Sequence, residues 1–318
     1  MSAVPKSASS IAPAEAVERL RSSICAVIRG KEDVVDLALT AILAGGHLLL
    51  QDVPGVGKTT LAAALAASVG GSFSRIQFTS DLLPGDITGV SVLNRETGGF
   101  EWRSGPLFAN VVLADEINRT TPRTQSALFE AMSEGQVTCD GRTRPLPRPF
   151  LVVATQNPFD FHGTFHLPDS QLDRFLMRLH MGYPERDAER DVLRAGATSR
   201  QVAEPVLSLE EVAGLMAAAA LASVPGEVEE YLLDLVQQTR VDARLLRGVS
   251  TRGALALYSA IKAYALVKGR SFVIPEDVRD LACPVLAHRV LPRTGGASGG
   301  DGGAAAIRGI LDELPAPQ

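Results

Sequence analysis

The strongest sign of chemistry in this chain is a glycine-containing loop between two apolar segments. His47–Leu50 precedes the loop and predicts a buried strand, and Leu61–Val69 follows it and predicts a helix. Backbone N–H groups of such a loop can surround phosphates, because glycine allows close approach and a helix N-terminus attracts anions. The residues predicted to bind a nucleotide are Asp52, Val53, Pro54, Gly55, Val56, Gly57, Lys58, Thr59 and Thr60.

Two residues at the end of this loop have specific predicted roles. Lys58 can reach the β- and γ-phosphate oxygens, and the hydroxyl of Thr59 can ligate Mg²⁺. The eight-residue phosphate-loop pattern opens with glycine, whereas this chain has Asp52 there. A chance glycine loop is the alternative, but the flanking strand and helix patterns favour ATP binding.

Polar side chains also follow two other apolar segments. Asp115 and Glu116 follow the segment Asn110–Ala114, and Asn157 follows the segment Leu151–Ala154. Asp115 is predicted to hold Mg²⁺ and Glu116 to polarise the water that attacks the γ-phosphate, while Asn157 could hydrogen-bond that water or the γ-phosphate. The alternatives are an ordinary polar turn after the strand and, for Asn157, a turn residue before Pro158.

Five short apolar segments could position these residues. Nearly continuous apolar runs of this length predict strands that are buried on both faces, as in a parallel sheet covered by helices, so the fold class is α/β. The segments are His47–Leu50, Phe73–Phe78, Asn110–Ala114, Phe150–Ala154 and Phe175–His180.

Other segments predict additions to this frame. Asp81–Leu107 and Gln136–Leu146 resemble hairpins, the second with a type I′ turn at Asp140–Gly141, and ordinary surface loops are the alternative. After Pro184 helical patterns predominate. Predicted helices begin at the capping box Ser208–Glu211, at Ser250 or Thr251 with an end near Lys268 and Gly269, and at Pro275 with an end near Val290.

Composition limits the class of protein. The 318 residues are 46% apolar with a formal net charge of −5, which favours a globular protein and counts against a broad basic face for nucleic acid. Cys25, Cys139 and Cys283 are too far apart to indicate a disulfide framework. Neither a signal peptide nor a membrane span is indicated, since Val34–Leu50 is interrupted and Val212–Val224 is too short. We therefore expect a cytoplasmic protein.

Eight motifs occur in order across roughly residues 24–290, and together they are highly specific. They are Gly45–His47, Asp52–Thr59, Leu83–Asp86, Gly105–Phe108, Ala114–Arg119, Thr124–Leu128, Ala154–Pro158 and Leu172–Phe175. This set resembles the AAA+ ATPases and, more narrowly, the MoxR family. Loops of that family commonly lack the opening glycine, so Asp52 fits the resemblance.

The resemblance implies a five-stranded sheet of order 5-1-4-3-2, two hairpin inserts and an all-α lid. It implies that Asn157 is sensor 1, that Arg174 is an arginine finger acting on the neighbouring subunit's nucleotide, and that Arg252 is sensor 2. From the residues alone, an arginine beside Asp173 is usually a surface ion pair. The implied domains are a flexible N-terminus (1–13), an AAA+ core (14–184), a lid (185–292), and a Gly-rich linker with a short C-terminal helix (293–318).

The resemblance also implies function. It points to an ATPase that uses ATP and Mg²⁺ and assembles as a homo-oligomer, most simply a hexameric ring. The implied role is the remodelling or maturation of client protein complexes, including metal insertion, and the implied partner contains a von Willebrand factor A domain. The alternatives are a nucleic-acid motor or transcriptional regulator, a magnesium-chelatase-like subunit, and a nucleotide-gated scaffold. The acidic charge and the lack of an appended helix-turn-helix or zinc module count against nucleic acid.

Two further features stay open at this point. His162 and His166 have a spacing that could chelate a metal on a helix, but Gly163 between them favours a loop. Arg119 could act across a subunit interface or form a local salt bridge.

Overall fold

The computed structural model describes residues 11–157, 164–165, 167–195, 203–293 and 301–317. Its helices are α1 Pro13–Val27, α2 Glu32–Leu43, α3 Lys58–Ser68, α4 Pro84–Thr88, α5 Pro122–Glu134, α6 Asp169–Leu172, α7 Arg186–Ala195, α8 Leu209–Ala220, α9 Gly226–Val241, α10 Thr251–Val267, α11 Pro275–Leu286 and α12 Asp301–Glu313. Its strands are β1 Leu48–Gln51, β2 Phe73–Gln77, β3 Gly89–Leu93, β4 Phe100–Ser104, β5 Val111–Asp115, β6 Gln136–Cys139, β7 Arg142–Pro145, β8 Leu151–Gln156, β9 Met177–Leu179, β10 Leu245–Arg247 and β11 Leu291–Pro292.

Five parallel strands form the central sheet, in the order β2-β5-β8-β1-β9. If these five are numbered along the chain, the order is 5-1-4-3-2, as the resemblance implied. The predicted α/β fold is confirmed, and each strand lies within two or three residues of its predicted segment. The register places Gln77 of β2 beside Asp115 of β5, and Gln51 of β1 beside Gln156 of β8. The loops that follow β1, β5 and β8 therefore meet at one edge of the sheet.

Both faces of the sheet are covered. Leu48, Leu50 and Leu113 belong to the apolar cluster on one face, whereas Leu49 and Val112 belong to the cluster on the other, and all five are fully buried. Side chains of a strand alternate between its faces, so a continuous apolar run supplies both clusters at once.

The two predicted hairpins are present. β3 pairs antiparallel with β4, and β6 pairs antiparallel with β7. In the second turn Asp140 and Gly141 have φ of 53° and 70°, the positive values that a type I′ turn requires. The short helix α4, which leads into β3, was not predicted.

The C-terminal region is helical, with two differences from the prediction. Ser208 caps α8 through its hydroxyl, as predicted, and of the two residues predicted for α10, Ser250 and Thr251, Ser250 is the cap. However, α11 ends at Leu286 instead of near Val290, because the chain then tightens into a turn in which the N–H of Arg289 bonds the carbonyl of Leu286. The lid is also not purely α-helical, since β10 pairs with β11.

The helical region packs on the N-terminal helices. Helix α10 contacts α1 and α2, and one apolar cluster runs from these helices through α3 into α8–α11. At this contact the buried carboxylate of Asp36 accepts hydrogen bonds from Arg21 (3.0 Å) and from Lys268 (2.8 Å). Among the described helices, none is both long and apolar enough to cross a membrane. His162 and His166 lie outside the described residues.

Candidate active site

The glycine loop connects β1 directly to α3. Gly55 and Gly57 have φ of 88° and 97°, values that strain any residue with a Cβ atom. Helix α3 begins at Lys58, and no side chain caps its N-terminus. Its first backbone N–H groups therefore have no partner within the helix and no side-chain cap, and phosphate oxygens can bond such groups.

Lys58 lies folded over its own loop. Its Nζ donates to the backbone carbonyls of Asp52 (2.8 Å) and Val53 (3.1 Å). Partial burial lowers the pKa of Lys58, and the negative charges of Asp52, Asp115 and Glu116 oppose that shift. The ammonium group is partly buried and held by two neutral acceptors, so an anionic phosphate would be a stronger partner.

Asp52 contacts the protein rather than the open side of the loop. Its carboxylate accepts hydrogen bonds from the backbone N–H groups of Met181 and Gly182, the latter at 3.3 Å, just beyond β9. The residue at the usual glycine position thereby ties the loop to the chain just beyond β9, the edge strand that pairs with β1. Asp52, Val53 and Val56 do not line the cleft over the loop, whereas the other six predicted loop residues do.

That cleft has a volume of about 410 Å³ and collects most of the predicted site. Asp115, Glu116 and Asn157 line it together with the loop. Asp115 ends β5 and Glu116 follows it directly, whereas Asn157 follows β8. They meet beside the loop after β1 because the carboxyl ends of parallel strands share one edge. Three residues that sequence reasoning missed also line the cleft, namely Arg75, Gln77 and Thr155.

Both carboxylate oxygens of Asp115 have partners. The hydroxyl of Thr155 donates to Oδ1 at 2.6 Å, and Nη2 of Arg75 donates to Oδ2 at 2.6 Å. Thr155 also accepts from the backbone N–H of Glu116 at 2.9 Å. One hydroxyl on β8 therefore fixes two neighbouring residues of the acidic pair.

Glu116 adopts a strained backbone conformation. Its φ of 57° and ψ of 51° lie in the left-handed region, which non-glycine residues rarely occupy. Such strain clusters at functional sites, where surrounding contacts hold it. The carboxylate accepts from Nε2 of Gln77 at 3.2 Å and pairs with Nε of Arg119 at 3.1 Å. Arg119, which the sequence left open, thus forms a salt bridge within the chain.

A weak signal for two of the missed residues exists in the sequence. Arg75 and Gln77 are polar residues at alternate positions of an otherwise mixed strand segment, so they share one face. Only the pairing of β2 with β5 shows that this face lies beside Asp115.

Arg174 and Arg252 lie outside this cleft. Nη1 of Arg174 donates to the carbonyl of Phe129 at 2.7 Å and also contacts Ser133, both on α5. Arg252 lies at the start of α10, where its Nε is 3.8 Å from Oδ2 of Asp173. Arg252 therefore lies beside Asp173, the residue before Arg174, and neither arginine lines the cleft over the loop of its own subunit.

The donor set of the cleft fits a nucleotide with Mg²⁺. Mg²⁺ prefers carboxylate and hydroxyl oxygens, and Asp115 and Thr59 supply one of each in the same cleft. The uncapped N-terminus of α3 and Lys58, which lines the cleft, supply the complementary positive charge for phosphates. In the described residues, no group of three or more His, Cys, Asp and Glu side chains forms a separate metal site.

Comparisons with known proteins agree with this geometry. Residues 47–177 match the family described as "ATPase family associated with various cellular activities (AAA)", and residues 237–305 match the AAA lid domain. The chain is 48% identical to the Bacillus subtilis protein YeaC over 92% of both chains. It is 41% identical to Chaperone MoxR1 of Mycobacterium tuberculosis, over 86% of this chain and 75% of that protein.

A crystal structure from Cytophaga hutchinsonii, described as that of a candidate ATPase, superposes on this chain with a TM-score of 0.87. The two share 35% sequence identity, and the match covers 96% of each chain. The lid match at 237–305 overlaps the predicted lid, but the predicted domain boundaries stay predictions. On these matches the chain belongs to the MoxR family of AAA+ ATPases.

Proposed function

We propose that this chain binds ATP with Mg²⁺ and hydrolyses it to ADP and phosphate. One observation carries the proposal: Lys58, Thr59, Asp115, Glu116 and Asn157 line a single cleft at the carboxyl edge of the sheet. That set contains a phosphate-binding cation, oxygen ligands for Mg²⁺, a carboxylate for the attacking water and an amide beside it.

Each residue then has a defined task. The loop and Lys58 bind the phosphates, and Thr59 and Asp115 would hold Mg²⁺, which neutralises phosphate charge when it is bound. Glu116 accepts a hydrogen bond from the attacking water and orients it, and Asn157 fixes the water or the γ-phosphate from the next strand. Thr155 positions Asp115 and the backbone of Glu116, so the strained turn presents the carboxylate to the cleft.

We further propose that the complete site lies between subunits of a ring. AAA+ proteins generally assemble into rings, and the cleft contains Arg75 but neither Arg174 nor Arg252. Both of these arginines lie near α6, away from the loop of their own chain. A neighbour's Arg174 would add positive charge where the transition state carries negative charge.

The work done by the ring is proposed to be chaperone-like remodelling of client protein complexes. The support is the relative named Chaperone MoxR1, which shares 41% identity with this chain. A partner with a von Willebrand factor A domain and the insertion of a metal into the client are part of the same proposal, through the family resemblance alone.

The substitution Glu116→Gln tests the catalytic assignment. It keeps the size of the side chain and its hydrogen bond to Gln77, so ATP binding should persist. Hydrolysis should fall by a factor of about 100 or more, because an amide orients and polarises the water poorly. Binding of a fluorescent ATP analogue and release of phosphate measure the two effects. Hydrolysis at the wild-type rate would contradict the role given to Glu116.

Mixing two inactive variants tests the site between subunits. Lys58→Ala removes the phosphate-binding cation but leaves Arg174 for the neighbour, and Arg174→Ala does the reverse. A mixture should therefore recover part of the hydrolysis that neither variant shows alone. If the mixture stays inactive while both variants assemble with each other, Arg174 does not act between subunits.

A further inference from the structure

Arg289 is a buried arginine of the lid that holds the segment bearing Arg174. Its Nε donates to Oδ1 of Asp173 at 2.7 Å, and its Nη2 donates to the carbonyls of Asp173 at 3.2 Å and of Phe175 at 2.7 Å. Its Nη1 donates to the carbonyl of Leu176 at 3.0 Å. The side chain is only 3% exposed. One guanidinium therefore bonds residues on both sides of Arg174.

The end of α11 is shaped for this contact. The turn after Leu286 directs His288 and Arg289 toward the same segment. Nε2 of His288 lies 3.1 Å from the carbonyl of Phe175, and Nη1 of Arg289 also bonds the carbonyl of Val285 within the helix. The helix end and the segment 173–176 are thus joined by several buried hydrogen bonds, so they should move together.

On its other side, this segment presents Arg174 to a surface pocket. Arg174 lines the pocket with Ser126, Glu130 and Gln171, among other residues of α5 and α6. Within the described residues, Nε of Arg174 is buried without a hydrogen-bond partner, and so is Oε1 of Gln171. The guanidinium is held at Nη1 by the carbonyl of Phe129 on α5, at the wall of this pocket.

We propose that Arg289 is a positioning residue for Arg174. As part of the lid, Arg289 fixes the position of the predicted arginine finger, so that a movement of the lid in one subunit changes the ATP site of the neighbouring subunit. The proposal rests on the proposed function of Arg174. Arginine suits this task because its planar fork can bond a carboxylate and several carbonyls together, which the single ammonium of lysine cannot do. A misplacement of about 1 Å at a catalytic group can cost about 100-fold in rate.

The test compares Arg289→Met with Arg279→Met. Arg279 lies on α11, the helix that precedes Arg289, and bonds Tyr231 (3.3 Å) and the carbonyl of Leu311 (3.2 Å). Arg289→Met should lower kcat about 100-fold with little change in the KM for ATP, because the cleft of its own subunit is intact. Arg279→Met should keep the wild-type kcat. Wild-type kcat in Arg289→Met, or an equal loss in both variants, would overturn the proposal.

Mixing then separates positioning from a general loss of stability. Arg289→Met should regain hydrolysis when mixed with Lys58→Ala, which supplies an intact finger, but not when mixed with Arg174→Ala. Recovery with Arg174→Ala would overturn the proposal. If Arg289→Met does not fold, Arg289→Lys replaces it: the lysine keeps the charge pair with Asp173 but loses the fork, and the same loss of kcat and the same mixing pattern are expected.

The reference mixture of Arg174→Ala with Lys58→Ala distinguishes two failures. If that mixture recovers activity and the Arg289 variants do not follow the Arg174→Ala pattern, the proposal for Arg289 alone is wrong. If the reference mixture shows no recovery, the site between subunits is wrong and the proposal for Arg289 falls with it.

Discussion

At the scale of single residues, hydrogen bonds from the scaffold decide what the site's side chains can do. Asp52, predicted to bind the nucleotide, instead ties the glycine loop to the chain beyond β9, and Thr155, which had no predicted role, fixes Asp115. A carboxylate that accepts two backbone N–H groups is a strong, directional anchor. The loop is thereby preorganised before any nucleotide arrives.

Replacing Asp52 by glycine should weaken nucleotide binding, even though glycine is the residue that the general phosphate-loop pattern has there. The substitution removes both hydrogen bonds to Met181 and Gly182, at a cost of about 1 to 3 kcal/mol. The affinity for ATP should fall about tenfold, measured by titration with a fluorescent analogue.

Asp52→Asn is the matched variant, because an amide oxygen can still accept one of the two hydrogen bonds. Its affinity should lie between those of Asp52→Gly and the wild type. Equal or tighter binding by Asp52→Gly would show that the anchor plays no part in binding.

At the scale of elements, a buried histidine joins two strands to a helix. Nδ1 of His47 accepts from the N–H of Val152 in β8 at 3.0 Å, and Nε2 lies 3.0 Å from the carbonyl of Met132 in α5. Both contacts are satisfied only by the neutral ring with its proton on Nε2. Burial lowers the pKa of His47 from 6.5 to about 4, which agrees with the neutral form.

The folded state should therefore lose stability in acid through His47. The pKa of His47 is lower in the folded protein than in the unfolded chain. His47 therefore makes its full contribution to the free energy of unfolding above about pH 6.5, and this contribution is lost as the pH falls through about 4. The full loss is about 3 kcal/mol in the free energy of unfolding. Urea unfolding between pH 4 and 7 measures it.

His47→Gln should show a shallower pH dependence than the wild type over this range. His180→Gln, at an exposed position after β9, is the control and should keep the wild-type slope. An unchanged slope in His47→Gln would contradict the assignment. The buried His288, whose pKa is also lowered by its burial, remains in every variant, so the comparison isolates His47.

At the scale of the whole molecule, the lid does not have a separate apolar core. The cluster that contains Leu20, Leu39 and Leu65 also contains Leu257 and Leu281 of the lid helices. The buried Asp36 adds a charged contact from α2 to Lys268 at the end of α10. The N-terminal helices therefore connect the core to the lid.

Thermal unfolding without nucleotide should accordingly be a single cooperative transition. The calorimetric enthalpy should equal the van't Hoff enthalpy, as for one folding unit. Asp36→Asn should lower the midpoint of that one transition, because it leaves Lys268 and Arg21 without their counter-charge. A shared core would be contradicted if the wild type showed two unfolding transitions. It would also be contradicted if the single transition of the wild type split into two in Asp36→Asn.

Much of the site and fold followed from local pattern. Each of these patterns lies within a few consecutive residues: the apolar runs, the glycine loop, the acid pair and the turn Asp140–Gly141. Hydrophobic periodicity, turn-forming residues and charge are therefore enough to predict the strands, helix α3 and that turn. Helix ends were predicted well where one residue decides them, as with Ser208 and Ser250. The end of α11 was not, because contacts of His288 and Arg289 with a segment over a hundred residues earlier end that helix.

The sequence by itself determined which residue types could do the chemistry, namely the glycine loop, the acid pair and Asn157, and the roles given to them stay predictions. The tertiary structure decided their surroundings: Arg75 and Gln77 lie beside the acid pair, Asp52 contacts the chain beyond β9, and Arg289 bonds the residues on both sides of Arg174. Each of these depends on which strands pair and which helix ends meet. Such contacts join residues far apart in the chain, and no local period or spacing encodes them.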